Sequence, residues 1–254
     1  MSGFAVAGRA ALVTGASSGL GRHFALTLAR AGARVAVAGR RGDRLAELAR
    51  EIAAFDGRAV PIVMDVTDAK SVRDGVAAAE TELGSIAIVV NNAGTVVVKP
   101  LLDHSEDDWD RVVDTDLKGV WLVAQETARH MVRLGHGGSI VNIASMLGEI
   151  VDSGAPSYCA AKAGVIHLTR AMARELARHR IRVNAICPGY FASEMTEAYL
   201  VSPRGAAMVE RIPQRRIGRP EDLDGPLLLL ASDAGAFMTG SIITVDGGHS
   251  LVGT

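Results

Sequence analysis

Two cysteines in 254 residues, Cys159 and Cys187, are too few for a disulfide framework. Aromatic residues make up only 4% of the chain, so Ala, Val, Leu and Gly must carry the packing. Neither charge sign dominates: the formal net charge is -1, with no basic stripe and no acidic tail. That excludes nucleic acid and an anionic membrane surface as the main partner. The longest apolar runs, such as Ile86–Val90 and Leu227–Ala231, fall far short of a bilayer span. The N-terminal M-S-G-F-A-V-A-G-R lacks a basic segment followed by an apolar one, so no secretory signal is evident and a cytoplasmic protein is expected. The histidines, among them His23, His104 and His249, show no ligand-like spacing. The carboxylates Asp103, Glu106, Asp107, Asp108 and Asp110 cluster where a helix should start, which its dipole explains. No catalytic metal is expected.

What is present is a 48% hydrophobic, 22% charged chain able to bury a large core. Short apolar, β-branched runs mark strands at Ala10–Thr14, Arg34–Ala38, Ala59–Met64, Ile86–Asn91, Ser139–Ala144, Arg182–Cys187 and Ile242–Val245. Most are continuously apolar, as strands covered on both faces should be. Helix-like stretches lie between them at Leu20–Ala31, Arg44–Phe55, Ser71–Leu83, Asp107–Leu134, Ser157–His179 and Glu221–Ala231. This alternation predicts an α/β fold: a parallel, seven-stranded sheet, doubly wound, with helices on both faces in a three-layer sandwich. No linker divides residues 1–254, which read as a single domain. The stretch at about 189–219 breaks the rhythm and is the candidate lid or binding loop.

Three residues carry the chemistry. Tyr158 and Lys162 are four apart, so on a helix they share one face. A lysine cation beside a phenol stabilises its ionised form. Ser145 offers a hydroxyl to hold a substrate oxygen. This set suits proton transfer at a carbonyl or alcohol oxygen and calls for a separate hydride source. The first strand-to-helix turn, Thr14–Gly21, has Gly15, Gly19 and Gly21, which let a pyrophosphate approach backbone N–H groups at a helix start. The second strand ends on Gly39-Arg40-Arg41 where an acidic residue would bind a ribose 2′-hydroxyl. A guanidinium fits a 2′-phosphate, so NADP(H) is expected over NAD(H), with Arg40 ahead of Arg41. A solvated helix start is the plainer reading of the same arginines.

T-G-x-x-x-G-x-G at Thr14–Gly21, N-N-A-G at Asn91–Gly94, Ser145, Y-x-x-x-K at Tyr158–Lys162, P-G at Pro188–Gly189 and V-D-G-G at Val245–Gly248 together resemble the short-chain dehydrogenase/reductase family. The resemblance spans nearly the whole chain and is nearest to 3-oxoacyl carrier-protein reductase-like and gluconate 5-dehydrogenase-like members. It implies a Rossmann-type fold and a set of roles. Tyr158 would move the proton, Lys162 would lower its pKa and hold the nicotinamide ribose, and Ser145 would orient the substrate. Gly15, Ser17, Ser18, Gly19, Leu20 and Gly21 would line the pyrophosphate, and Asp65 and Val66 the adenine. Asn91, Asn92, Ala93 and Gly94 would flank the adenosine ribose, and Pro188, Gly189, Phe191 and Ser193 the nicotinamide. A homotetramer is implied as well.

One position departs from the family. Asp116 stands in D-T-D-L-K-G where an asparagine is usual. As a charged group it would hold Lys162 more firmly; protonated, it would partly imitate the amide; on the plainest reading it simply accepts backbone and water hydrogen bonds in an active enzyme. The substrate is expected to be a small carbonyl or alcohol, in a pocket including Val97, Leu147, Tyr190, Met195 and Tyr199. The sequence leaves three functions open: an NADP(H)-dependent ketone reductase or alcohol dehydrogenase, an NAD-dependent polyol or sugar-acid dehydrogenase, and a non-enzymatic nucleotide-sensing or scaffold protein on the same fold.

Overall fold

A computed structural model describes residues 2–192 and 202–252. Its sheet contains β1 (Ala10–Thr14), β2 (Arg34–Gly39), β3 (Arg58–Val63), β4 (Ile86–Asn91), β5 (Gly138–Ile143), β6 (Ile181–Pro188) and β7 (Ile242–Val245). All neighbours pair parallel, in the order β3-β2-β1-β4-β5-β6-β7. The order reverses between β1 and β4, and a crevice opens there at the carboxyl ends of the strands.

The helices are α1 (Gly19–Arg30), α2 (Gly42–Ala53), α3 (Ala69–Leu83), α4 (Glu106–Val113), α5 (Gly119–Leu134), α6 (Pro156–Leu176), α7 (Pro203–Arg211) and α8 (Asp224–Ala231). Strand periodicity of two explains the layering. In β1, Ala11 and Val13 point into one core with Phe24 and Leu28 of α1, Leu48 of α2 and Leu230 of α8. Ala10 and Leu12 point into the other, with Val76 of α3 and Val123 and Met131 of α5. Both faces of the sheet are thus covered, as the continuous apolar runs predict. Pro61 is tolerated because β3 is an edge strand.

The sequence reading differs from the fold in two places. The expected helix Asp107–Leu134 is two helices joined by a π-helical turn, Asp114–Lys118. The expected loop at 189–219 contains α7, begun by Ser202, whose hydroxyl accepts from Gly205 N–H at 3.1 Å. Among the described residues no helix is long and apolar enough to cross a membrane.

Candidate active site

A cavity of about 440 Å³ fills the crevice. Its first wall is the turn between β1 and α1. Gly15 and Gly19 have φ of +65° and +53°, in the left-handed region that glycine enters without strain. A Cβ on Gly21 would lie 2.3 Å from Gly15 O and from Asn92 Nδ2, so only glycine fits. Thr14 Oγ1 accepts from the N–H groups of Asn92 (3.0 Å) and Ala93 (3.1 Å), locking the ends of β1 and β4 together. Ser18 precedes α1 without capping it. Its hydroxyl accepts instead from Arg41 at 2.6 Å, and Ser17 Oγ accepts from the same guanidinium at 2.9 and 3.1 Å.

Arg40 and Arg41 both line the cavity at the end of β2. The sequence puts Arg40 ahead of Arg41, but it is Arg41 that bridges to the Gly-rich turn. Asp65 accepts from Thr67 N–H and hydroxyl at 3.0 and 2.8 Å. Burial would raise its carboxyl, but those two bonds and the Arg40 charge outweigh it and hold it below the usual range. Val66, Asn92, Ala93 and Gly94 also line the cavity. Asn91 does not: it is buried behind the wall, donating to Asn142 Oδ1 at 2.9 Å, and Asn142 donates in turn to Thr169.

At the other end stand Ser145, Tyr158 and Lys162 with Pro188, Gly189 and Phe191. Ser145 closes β5, and its Oγ accepts from Leu147 N–H at 3.1 Å. Pro156 opens α6, where its missing N–H costs nothing, and α6 then stacks Tyr158 and Lys162 one turn apart. Lys162 Nζ lies 5.4 Å from the Tyr158 ring centroid, donates to Ile143 O at 3.0 Å and sits 3.1 Å from Asp116 Oδ2. Asp116 Oδ1 accepts from Thr95 N–H at 2.7 Å. The π-helical turn widens the helix by one residue and turns Asp116 inward, a geometry that recurs at functional sites.

The electrostatics correct one expectation. Lys162 does favour the Tyr158 phenolate, as does a hydrogen bond with Ser145. Burial and the Asp116 charge oppose them, and the phenol titrates above its ordinary value rather than below it. Burial would push Lys162 down; the Asp116 and Tyr158 charges outweigh it and raise it. Burial dominates at Asp116 and raises its carboxyl, with Lys162 and Thr95 N–H pulling the other way. Cys187 is buried and its thiol is pushed up to about 12, so it is an inert packing group.

The expected substrate residues are dispersed. Val97 is buried with Val112 and Ala161 against the Tyr158 ring, behind the wall. Leu147 is half-buried beside Ser145 and is not part of the cavity lining. Tyr190 faces a second cavity of about 380 Å³ that meets the first at Phe191. Its hydroxyl donates to Asp152 Oδ2 at 3.2 Å. Ser193, Met195 and Tyr199 lie outside the described residues. Sequence reasoning missed Thr95, Thr115 and Ile143 on the wall. Thr95, next to the N-N-A-G run, could have been found; the carbonyl of Ile143 leaves no trace in a side-chain pattern.

The family model described as enoyl-(acyl carrier protein) reductase matches residues 15–250. The chain is 41% identical to the gluconate 5-dehydrogenase of Gluconobacter oxydans, over 98% of this chain and 97% of that protein. The chain belongs to the short-chain dehydrogenase/reductase family. Its fold matches the crystal structure of a family member from Mycobacterium marinum at a TM-score of 0.93 and 47% identity, covering 97% of both chains. It also matches a gluconate 5-dehydrogenase from Burkholderia cenocepacia, solved in complex with NADP and tartrate. There the TM-score is 0.94 and the identity 36%, over 98% of this chain and 97% of that one. The fold is therefore that of an oxidoreductase scaffold of this family.

Proposed function

We propose that the protein is an NADP(H)-dependent oxidoreductase acting on a ketone or secondary alcohol, with Tyr158 as general acid in reduction and general base in oxidation. The observation that carries this reading is the convergence of Ser145, Tyr158 and Lys162 on the same cavity that ends in the Gly15–Gly21 turn. The cavity fits a nicotinamide dinucleotide: a Cβ on Gly15 would lie 2.8 Å from Ala93 Cα, so the turn is open only because it is glycine. The dinucleotide supplies or accepts the hydride. Gly15, Ser17, Ser18, Gly19, Leu20 and Gly21 hold its pyrophosphate, Asp65 and Val66 its adenine, and Asn92, Ala93 and Gly94 its adenosine ribose. Pro188, Gly189 and Phe191 shape the nicotinamide end. Ser145 orients the substrate oxygen and Tyr158 exchanges the proton with it. A cytoplasmic homotetramer is part of this reading; the half-exposed Trp109 of α4 and Trp121 of α5 are faces that another subunit would cover.

Arg40 and Arg41 supply the preference for the 2′-phosphate. Replacing Arg40 with Asp and Arg41 with Ala together is expected to lower kcat/KM for NADPH by about 10- to 100-fold, the worth of charge-assisted hydrogen bonds, with NADH use retained. Steady-state rates with both cofactors check this, and an unchanged NADPH/NADH ratio would put the 2′-phosphate elsewhere.

The test of the activity is oxidation of NADPH against a keto ester, an aryl ketone, an acetoacetyl thioester and a keto sugar acid. Two carboxylates bond to the wall of the second cavity, Glu149 accepting from Thr244 Oγ1 at 2.7 Å and Asp152 from the Tyr190 hydroxyl at 3.2 Å, and we place both near the path of the substrate. The sugar acid, as an anion, is therefore expected to show kcat/KM about tenfold below the ester. An anion that outperforms the neutral ketones would contradict this ranking. Failure of every ketone, with NADPH still bound, would favour the nucleotide-sensing reading.

A further inference from the structure

Asp116 has 0% of its surface exposed, an unusual setting for an acid. Oδ1 has a hydrogen bond from Thr95 N–H at 2.7 Å. Oδ2 faces Lys162 Nζ at 3.1 Å, and the same ammonium donates to Ile143 O at 3.0 Å. The lysine charge is what compensates that buried carboxylate oxygen. Lys162 is 3% exposed and stands against both Asp116 and the Tyr158 ring.

An isolated ammonium would draw the proton off Tyr158. An ammonium 3.1 Å from a carboxylate is close to a neutral dipole, whose field decays faster than that of a charge. Among the described residues no other group near the pair restores the positive potential. From α6 the ionisable neighbours are Tyr158, Lys162 and Cys159; from β6 comes the Cys187 thiol, held neutral by burial. On the same turn, Asp114 and Lys118 pair with each other at 3.1 Å near the surface.

We propose that Asp116 cancels the Lys162 charge at Tyr158 and so sets the pH window of the reaction, acting as a positioning residue through Lys162. The inference rests on Tyr158 as the proton carrier. Reduction uses the phenol and oxidation the phenolate, and an enzyme leaves the equilibrium unchanged. The falling limb of reduction and the rising limb of oxidation must therefore move together when Asp116 changes.

Asp116→Asn keeps the shape and removes the charge. Phenolate absorbance, with the Tyr158→Phe spectrum subtracted to remove the other tyrosines, reads Tyr158 without any turnover. The inflection is expected to fall by about one unit, a tenfold loss of proton affinity. The pH profiles of kcat/KM in both directions, from about pH 6 to 10, should move by the same amount. Asp116→Ser, smaller and uncharged, gives the same reading should the asparagine variant fail to fold. An unmoved phenolate inflection in either folded variant overturns the proposal, and so does a displacement in one direction of reaction only. A phenolate shift with pH profiles that stay put upholds the coupling and overturns Tyr158 as the proton carrier.

Discussion

Tyr158→Phe is expected to lower kcat by about 10²- to 10⁴-fold, the usual contribution of a positioned general acid, with NADPH affinity held within about threefold. The substitution removes one oxygen and keeps the ring. That ring packs against Val97, Val112 and Ala161, and Lys162 Nζ lies 5.4 Å from its centroid. Neither contact needs the hydroxyl, so the wall of the cavity should survive. The Gly15–Gly21 turn and the arginines at the end of β2 lie at the opposite end of the cavity, which is why cofactor binding is insulated from the change. NADPH fluorescence titration and steady-state rates separate the two effects. A variant that keeps a tenth or more of its turnover would remove Tyr158 from the proton-transfer role. The residual rate should also lose its alkaline inflection, because the group that titrates there is gone.

The parts of this site that were legible in the sequence are those fixed by spacing along one element. Tyr158 and Lys162 fall on one face of α6, and Gly15, Gly19 and Gly21 fall in one turn, because helical and turn geometry follow from local order. Strand positions were legible for the same reason: β1, β4 and β7 have the expected ends, while β3, β5 and β6 each start one residue earlier, where pairing with a neighbour extends them. What the sequence could not reveal depends on a second element. Consecutive residues of an extended segment face opposite ways, so Asn91 against Asn92 is settled by what lies across the crevice; Arg40 and Arg41 both reach the cavity, and only the fold shows that Arg41 bridges to Ser17 and Ser18. The π-helical turn at Asp114–Lys118 hides within a helical pattern, since one extra residue shifts the apolar stripe without ending it. The Lys162 contribution to Tyr158 acidity was legible in the sequence; the desolvation and the Asp116 charge that oppose it depend on the packing of other elements.

Lys162→Met is expected to cost stability as well as activity, by about 3–5 kcal/mol, because it leaves the Asp116 carboxylate buried with no cation. Adding Asp116→Asn should return most of that stability and none of the turnover. The pH dependence fixes the cause. A carboxyl raised above its unfolded value takes up a proton on folding, so its stability contribution is intact below about pH 4 and is lost as pH rises through the folded value. Lys162 is raised as well; its contribution is present below its unfolded value and is lost only as pH climbs through the folded one. In the wild-type protein the lysine charge therefore compensates Asp116 across the neutral range. Without it the carboxyl rises further, and the single variant should be closest to wild type in acid and fall away toward pH 8, while the double variant should run parallel to wild type. Urea unfolding of the three proteins at about pH 5 and pH 8 measures this. A deficit of the same size at both values, or a double variant no more stable than the single, would trace the loss to the packing of the lysine stem rather than to its charge. The same two variants then bear on the active site: a double variant whose uncharged pair restores the fold without restoring turnover places Lys162 in the chemistry and not only in the fold.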